Sequence, residues 1–184
     1  MRQTTWILTG FAISVIYAAP ALAQQGEVGL TYSAMRLQQT TAKAGFGLDV
    51  SKAVGHSANN VGIHVVGEVN FNHFYGATST AEAWNQTSFM GGLRLSGRTH
   101  SGVVPFAQVL GGGIHATGEN DAAVSFGGGI DVPLSGKKCH VRLQADFPMF
   151  FYKAGVDETN VPYAAYHATG ARINVGVAIP FGKS

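Results

Sequence analysis

The residues of this 184-residue chain best suited to metal binding or proton transfer are seven histidines: His56, His64, His73, His100, His115, His140 and His167. Zinc sites draw ligands from closely spaced positions on one turn or hairpin, and these histidines are scattered, so no metal site is expected. Two glycine runs, Gly111-Gly112-Gly113 and Gly127-Gly128-Gly129, are the kind of sequence that cradles a phosphate. Neither opens a helical pattern and no P-loop lysine follows; glycine in a tightly curved strand explains both. There is no G-x-S-x-G elbow, and Ser, His and acidic residues are too dispersed to nominate a triad. Cys139 is the single cysteine, so an internal disulfide is excluded. Its only neighbours that would lower a thiol pKa are Lys137 and Lys138. Asn85-Gln86-Thr87 fits a glycosylation sequon, a pattern common by chance. No catalytic residue and no cofactor is predicted.

The elements around these residues have an unusual composition. Charged residues make up 12% of the chain, against about 25% in soluble domains, and 25 residues are glycine. Something other than water is expected to cover much of the surface. The net charge is only +2 and includes Arg2, which excludes nucleic-acid binding through a basic face.

Residues 1–23 read as a cleaved secretory signal. Arg2 supplies the positive start, residues 6–19 are largely apolar, and Ala21-Leu22-Ala23 gives the A-x-A cleavage pattern, with Ala21 and Ala23 as its small residues. The mature domain then spans 24–184. Beyond residue 23 no apolar run approaches the ~20 residues of a spanning helix, so a mature membrane protein here must be a closed β-barrel.

Period-two alternation recurs along the mature chain between Gly-, Asn- and Ser-rich breaks. Val61, Ile63, Val65, Val69 and Phe71 oppose His64, Glu68 and Asn70, with Val66 the one apolar residue on the polar face. Val141, Leu143, Ala145 and Phe147 oppose Arg142, Gln144 and Asp146; Ile173, Val175, Val177, Ile179 and Phe181 oppose Arg172, Asn174 and Gly176. Further strands are predicted over 28–34, 43–51, 88–96, 103–112 and 123–134; the fifth strand, 103–112, is ambiguous, because Val104, Phe106 and Leu110 share a face with Gln108. The fold class is all-β, an eight-stranded antiparallel up-and-down transmembrane barrel. Connections after odd strands (36–42, 72–87, 115–122, 153–168) read as the loops, and those after even strands (52–60, 97–102, 135–139) as turns.

Polar faces rich in Gly, Ser, Asn and Gln suit the interior of a narrow barrel, with the apolar faces toward lipid. Arg94, Arg142 and Arg172 then point inward with Asp49, Glu68, Asp131 and Asp146, as a nearly neutral charge network that fills the lumen. Aromatic residues Tyr32, Phe71, Phe74, Tyr75, Phe89, Phe147, Phe150, Phe151, Tyr152 and Phe181 are expected where membrane meets water.

With phrases such as 105–113 (PFAQVLGGG) and 126–131 (FGGGID), the chain from Gln24 onward resembles the OmpA-like and OmpX-like small outer-membrane β-barrel domains. Asn174, Gly176, Ile179 and Phe181 resemble the last-strand signal read by the barrel assembly machinery, although Gly182-Lys183-Ser184 follows the aromatic residue. The resemblance implies a non-enzymatic integral protein of the cell outer membrane, in contact with lipid and lipopolysaccharide, whose loops meet an extracellular partner. Two alternatives carry their own signatures. A lipid A-modifying barrel enzyme would resemble the deacylases, which use a His-x-Ser pair; His115-Ala116-Thr117 and His167-Ala168-Thr169 are the nearest patterns. A soluble periplasmic barrel binding an apolar ligand would require the apolar faces to point inward.

Overall fold

Strand-length alternation without helical periodicity folds here into one closed sheet. The computed structural model describes residues 26–38, 40–56, 61–75, 83–97, 99, 101–134, 139–156 and 162–182. The expected cleavage residues Ala21 and Ala23, together with Lys137 and Lys138 beside Cys139, lie outside these. The strands are β1 (Gly26–Leu37), β2 (Thr40–His56), β3 (Val61–Tyr75), β4 (Trp84–Gly97), β5 (Val104–Ala116), β6 (Glu119–Pro133), β7 (His140–Tyr152), β8 (Gly155–Val156), β9 (Pro162–Tyr163) and β10 (Tyr166–Phe181). Eight of them close an antiparallel barrel in the order β1-β10-β7-β6-β5-β4-β3-β2, and β8 and β9 form a separate small hairpin. The closing seam between β1 and β10 pairs from Gly26↔Phe181 to Leu37↔Gly170. Among the described residues no helix is long and apolar enough to cross a membrane.

The barrel has two rims. The terminal rim carries Gly26, Phe181 and the turns after β2, β4 and β6; the far rim carries the connections after β1, β3, β5 and β7. Two of the four loops expected at the far rim are tight hairpins instead. Only residues 38 and 39 separate β1 from β2, and only Thr117 and Gly118 separate β5 from β6. Thr117 and Gly118 both have positive φ, 48° and 88°, the backbone sense that matches the twist of a two-residue hairpin. The long connections are residues 76–83 and 153–165, the second containing the β8/β9 hairpin.

The alternation puts apolar side chains outside. Leu30, Phe46, Val65, Leu93, Val109, Phe126, Phe147 and Ile173 are all exposed, Phe147 and Ile173 by 60% and 63%. Arg142, Arg172, Asn174 and Asp146 are buried inside. Strand β5 resolves its ambiguity by turning Phe106, Gln108 and Leu110 inward together, and Val66 is likewise inside. The aromatic residues divide. Tyr32, Phe71, Tyr75, Phe147 and Phe151 are exposed, whereas Phe74 and Phe150 are buried, contrary to their expected place at a membrane boundary. Both occupy inward positions near the far rim and belong to an apolar core with Met35, Leu37, Ala42, Val66, Met90, Leu110, Ile114, Ala123 and Ala168. Trp84 and Tyr152 pack against that core from the rim, Trp84 stacked on Phe74 at 4.2 Å and Tyr152 on Tyr166 at 4.7 Å.

Candidate functional site

The lumen is where charge concentrates, and glycine makes the space for it. A Cβ at Gly29 would collide with the carboxylate of Asp49, and one at Gly127 with that of Asp146. These bare inward positions let short acidic side chains lie flat against the wall and meet guanidinium groups from across the barrel.

The resulting network has two clusters. Nearer the terminal rim, Arg142 donates from Nε to Asp131 Oδ1 at 2.8 Å and from Nη2 to Asp131 Oδ2 at 2.7 Å. Its Nη1 reaches both oxygens of Asp49, at 2.8 and 2.9 Å, and Nη2 also pairs with Glu27 Oε1. Arg94 adds Nη2 to Asp49 Oδ1 at 3.0 Å and Nη1 to Glu27 Oε1 at 3.3 Å. Phe106 lies beneath both cations, its ring centre 4.7 Å from Arg94 Cζ and 5.0 Å from Arg142 Cζ, a favourable contact with the negative ring face.

The second cluster centres on Arg172, whose Nη2 donates to Glu68 Oε1 at 2.5 Å and to Asp146 Oδ2 at 2.9 Å. Asp146 Oδ2 also accepts from Gln144 Nε2 at 2.8 Å and Asn174 Nδ2 at 2.7 Å, and Glu68 Oε1 accepts from Asn70 Nδ2 at 2.6 Å. Gln108 joins the two halves. Its Oε1 accepts from Arg94 Nε at 2.9 Å, while its Nε2 donates to Glu68 Oε2 at 3.5 Å and Asp146 Oδ1 at 3.4 Å.

All seven charged residues expected in the lumen, Asp49, Glu68, Arg94, Asp131, Arg142, Asp146 and Arg172, are thus buried, and each is ion-paired within one of the two clusters. Glu27 and Gln108 were not among them. Glu27 could have been found by extending the inward run Gly29, Thr31, Ser33 back by one step of two. Its inclusion sets five carboxylates against three guanidiniums, a formal excess of two acidic groups in the network.

The two His-x-Thr patterns do not build an acyl-transfer site among the described residues. His115 Nδ1 lies 2.9 Å from Asn120 Oδ1, and Thr117 sits in the hairpin turn. His167 and Thr169 are both exposed. One serine–histidine contact does form at the terminal rim, His64 Nε2 to Ser96 Oγ at 2.8 Å, between neighbouring strands β3 and β4. Cys139 is half-buried, its Sγ donating to the His140 carbonyl at 3.9 Å. Of the expected assembly signal, Asn174 faces the lumen and Ile179 faces outward. Gly176 leaves room for β1, since a Cβ there would meet the Leu30 carbonyl, and Phe181 lays its ring over Gly26.

No protein-family model and no curated protein matches the sequence. Solved structures do. Neisserial surface protein A (NspA) superposes with a TM-score of 0.57 at 12% identity, over 85% of this chain and 96% of its own. Outer membrane protein OprG from Pseudomonas aeruginosa gives 0.53 at 9% identity, over 88% and 97%. Ail, the attachment invasion locus protein of Yersinia pestis, gives 0.50 at 11% identity, over 86% and 99%. The chain has the fold of the small eight-stranded outer-membrane β-barrels. At these identities the likeness is one of architecture, the closed eight-stranded barrel, rather than of shared side chains.

Proposed function

We propose that this protein is a non-enzymatic barrel of the bacterial outer membrane, exported by cleavage after Ala23, with a lumen closed by side chains and a far rim that meets external partners. The observation that carries this reading is the inversion of polarity between the two faces. Residues such as Phe147 and Ile173 are exposed, while Arg142 and Arg172 are buried in ion pairs. In water this arrangement would leave a belt of apolar surface unsatisfied; in a bilayer it is the low-energy one. It also removes the support for a soluble barrel with an apolar interior ligand, since the apolar faces point outward.

The lumen network is read as a structural plug. An eight-stranded barrel is just wide enough for side chains to fill, and here guanidinium and carboxylate groups do so together with the apolar core. The two long connections, 76–83 and 153–165, join strands of the barrel wall at the far rim, the setting in which binding loops are usually found. Ail, named for attachment and invasion, and NspA, named as a surface protein, are structural neighbours whose names fit such a role. Asn174, Gly176, Ile179 and Phe181 are read as the strand signal for the assembly machinery.

Cell fractionation, with gel mobility compared for boiled and unboiled samples, tests the reading. Recovery in outer membranes with a heat-dependent mobility shift is expected. A soluble periplasmic protein without that shift would overturn it. Deacylation or acylation of purified lipopolysaccharide by the barrel would restore the enzyme alternative.

A further inference from the structure

Three potential metal ligands from three different strands converge at the terminal rim. Glu27 enters from β1, Asp131 from β6 and His140 from β7, and one ligand atom of each lies within 4.8 Å of the other two. Strand β10 stands between β1 and β7 at this level, and there it carries Ala178, paired with Gly29 on one side and His140 on the other. The wall under the three side chains is therefore lined by a methyl group and a bare glycine.

Two further observations point to a ligand. His140 Nδ1 is buried without a hydrogen-bond partner among the described residues, a state that costs free energy unless something fills it. The lumen also has more carboxylates than guanidiniums. Glu27 uses Oε1 for both of its arginine contacts, and a carboxylate offers about four lone-pair sites. Asp131 is forked by Arg142 but retains lone pairs on its other edges.

We propose that Glu27, Asp131 and His140 bind a divalent first-row transition cation, which staples β1 to β6 and β7 across the closing seam. An imidazole nitrogen and two carboxylate oxygens suit zinc and its neighbours, whereas calcium takes six or more oxygen ligands. Histidine spacing in the sequence gave no sign of this site because two of its ligands are acids and all three are brought together only by closure of the sheet.

Zinc chloride is the probe. The purified mature barrel, stripped with chelator and held in detergent micelles, is titrated by calorimetry while its imidazole nitrogens are followed by NMR. One zinc per chain is expected, with a shift of the His140 ring resonances. His140→Ala and Glu27→Gln should each weaken binding at least about tenfold, and His115→Ala, at the far rim, should leave it unchanged. Circular dichroism and the unboiled gel mobility check that each variant remains a folded barrel. If folded His140→Ala binds zinc as tightly as the parent, if the parent binds none, or if zinc leaves the His140 resonances unmoved, the proposal is wrong.

Discussion

Arg142 holds Asp131 by two parallel hydrogen bonds, Nε to Oδ1 at 2.8 Å and Nη2 to Oδ2 at 2.7 Å. The pair joins β6 to β7 at Asp131↔Arg142, and the same guanidinium reaches across the lumen to Asp49. Because the arginine is 0% exposed, water cannot replace what it supplies.

Arg142→Ala should therefore destabilise the folded barrel by about 3–5 kcal/mol, the cost of leaving buried carboxylates unpaired. Urea unfolding of the purified barrel in lipid vesicles measures this. Asp131→Asn in the same chain should recover part of the loss, and a double-mutant cycle gives the coupling between them.

Gly127→Ala should cost about 1–3 kcal/mol, the usual range for forcing a methyl group into a packed interior. Here the methyl would displace the Asp146 carboxylate from Arg172. Gly111→Ala, where a Cβ meets nothing within 4 Å, is the control and should change stability little.

Thr117→Asn should stabilise the barrel by roughly 0.5–1 kcal/mol. Thr117 holds a φ of 48° ahead of Gly118, a region that asparagine tolerates better than a β-branched residue. Unfolding midpoints of the two proteins, compared at matched slope, check the sign.

Val175→Arg, on the outer face opposite Tyr32 and Leu143, should lower stability in a bilayer by up to about 2–4 kcal/mol if the position lies near the midplane. Substitution at exposed Asn120, at the far rim, should have little effect. Equal tolerance at both positions would argue against a lipid-facing surface.

Strand number and facing could be read from the sequence because both follow from period-two patterning. Arg142, Gln144 and Asp146 announced an inward face without any knowledge of neighbouring strands. Strand ends were harder to read. Gln38 and Gln39 carry none of the usual turn chemistry, and Thr117-Gly118 lies among residues polar enough to pass for a loop. Phe74 and Phe150 were assigned by residue type, yet both occupy inward positions of their strands. Pairing within the lumen was not legible, since it depends on register and stagger: Asp49 and Arg142 lie 93 residues apart. Nor did Gln108 stand out, because its importance lies in touching both clusters at once.

The lumen contacts also order events in time. Arg142 meets Glu27 across 115 residues of chain, and Arg172 meets Glu68 across 104. Contacts between such distant segments carry a large loop-closure cost and cannot be made by any hairpin alone. The ion network is therefore completed late: neighbouring strands already pair Arg142 with Asp131 and Arg172 with Asp146, but the bonds to Glu27, Asp49 and Glu68 form only when distant strands meet in the closed cylinder.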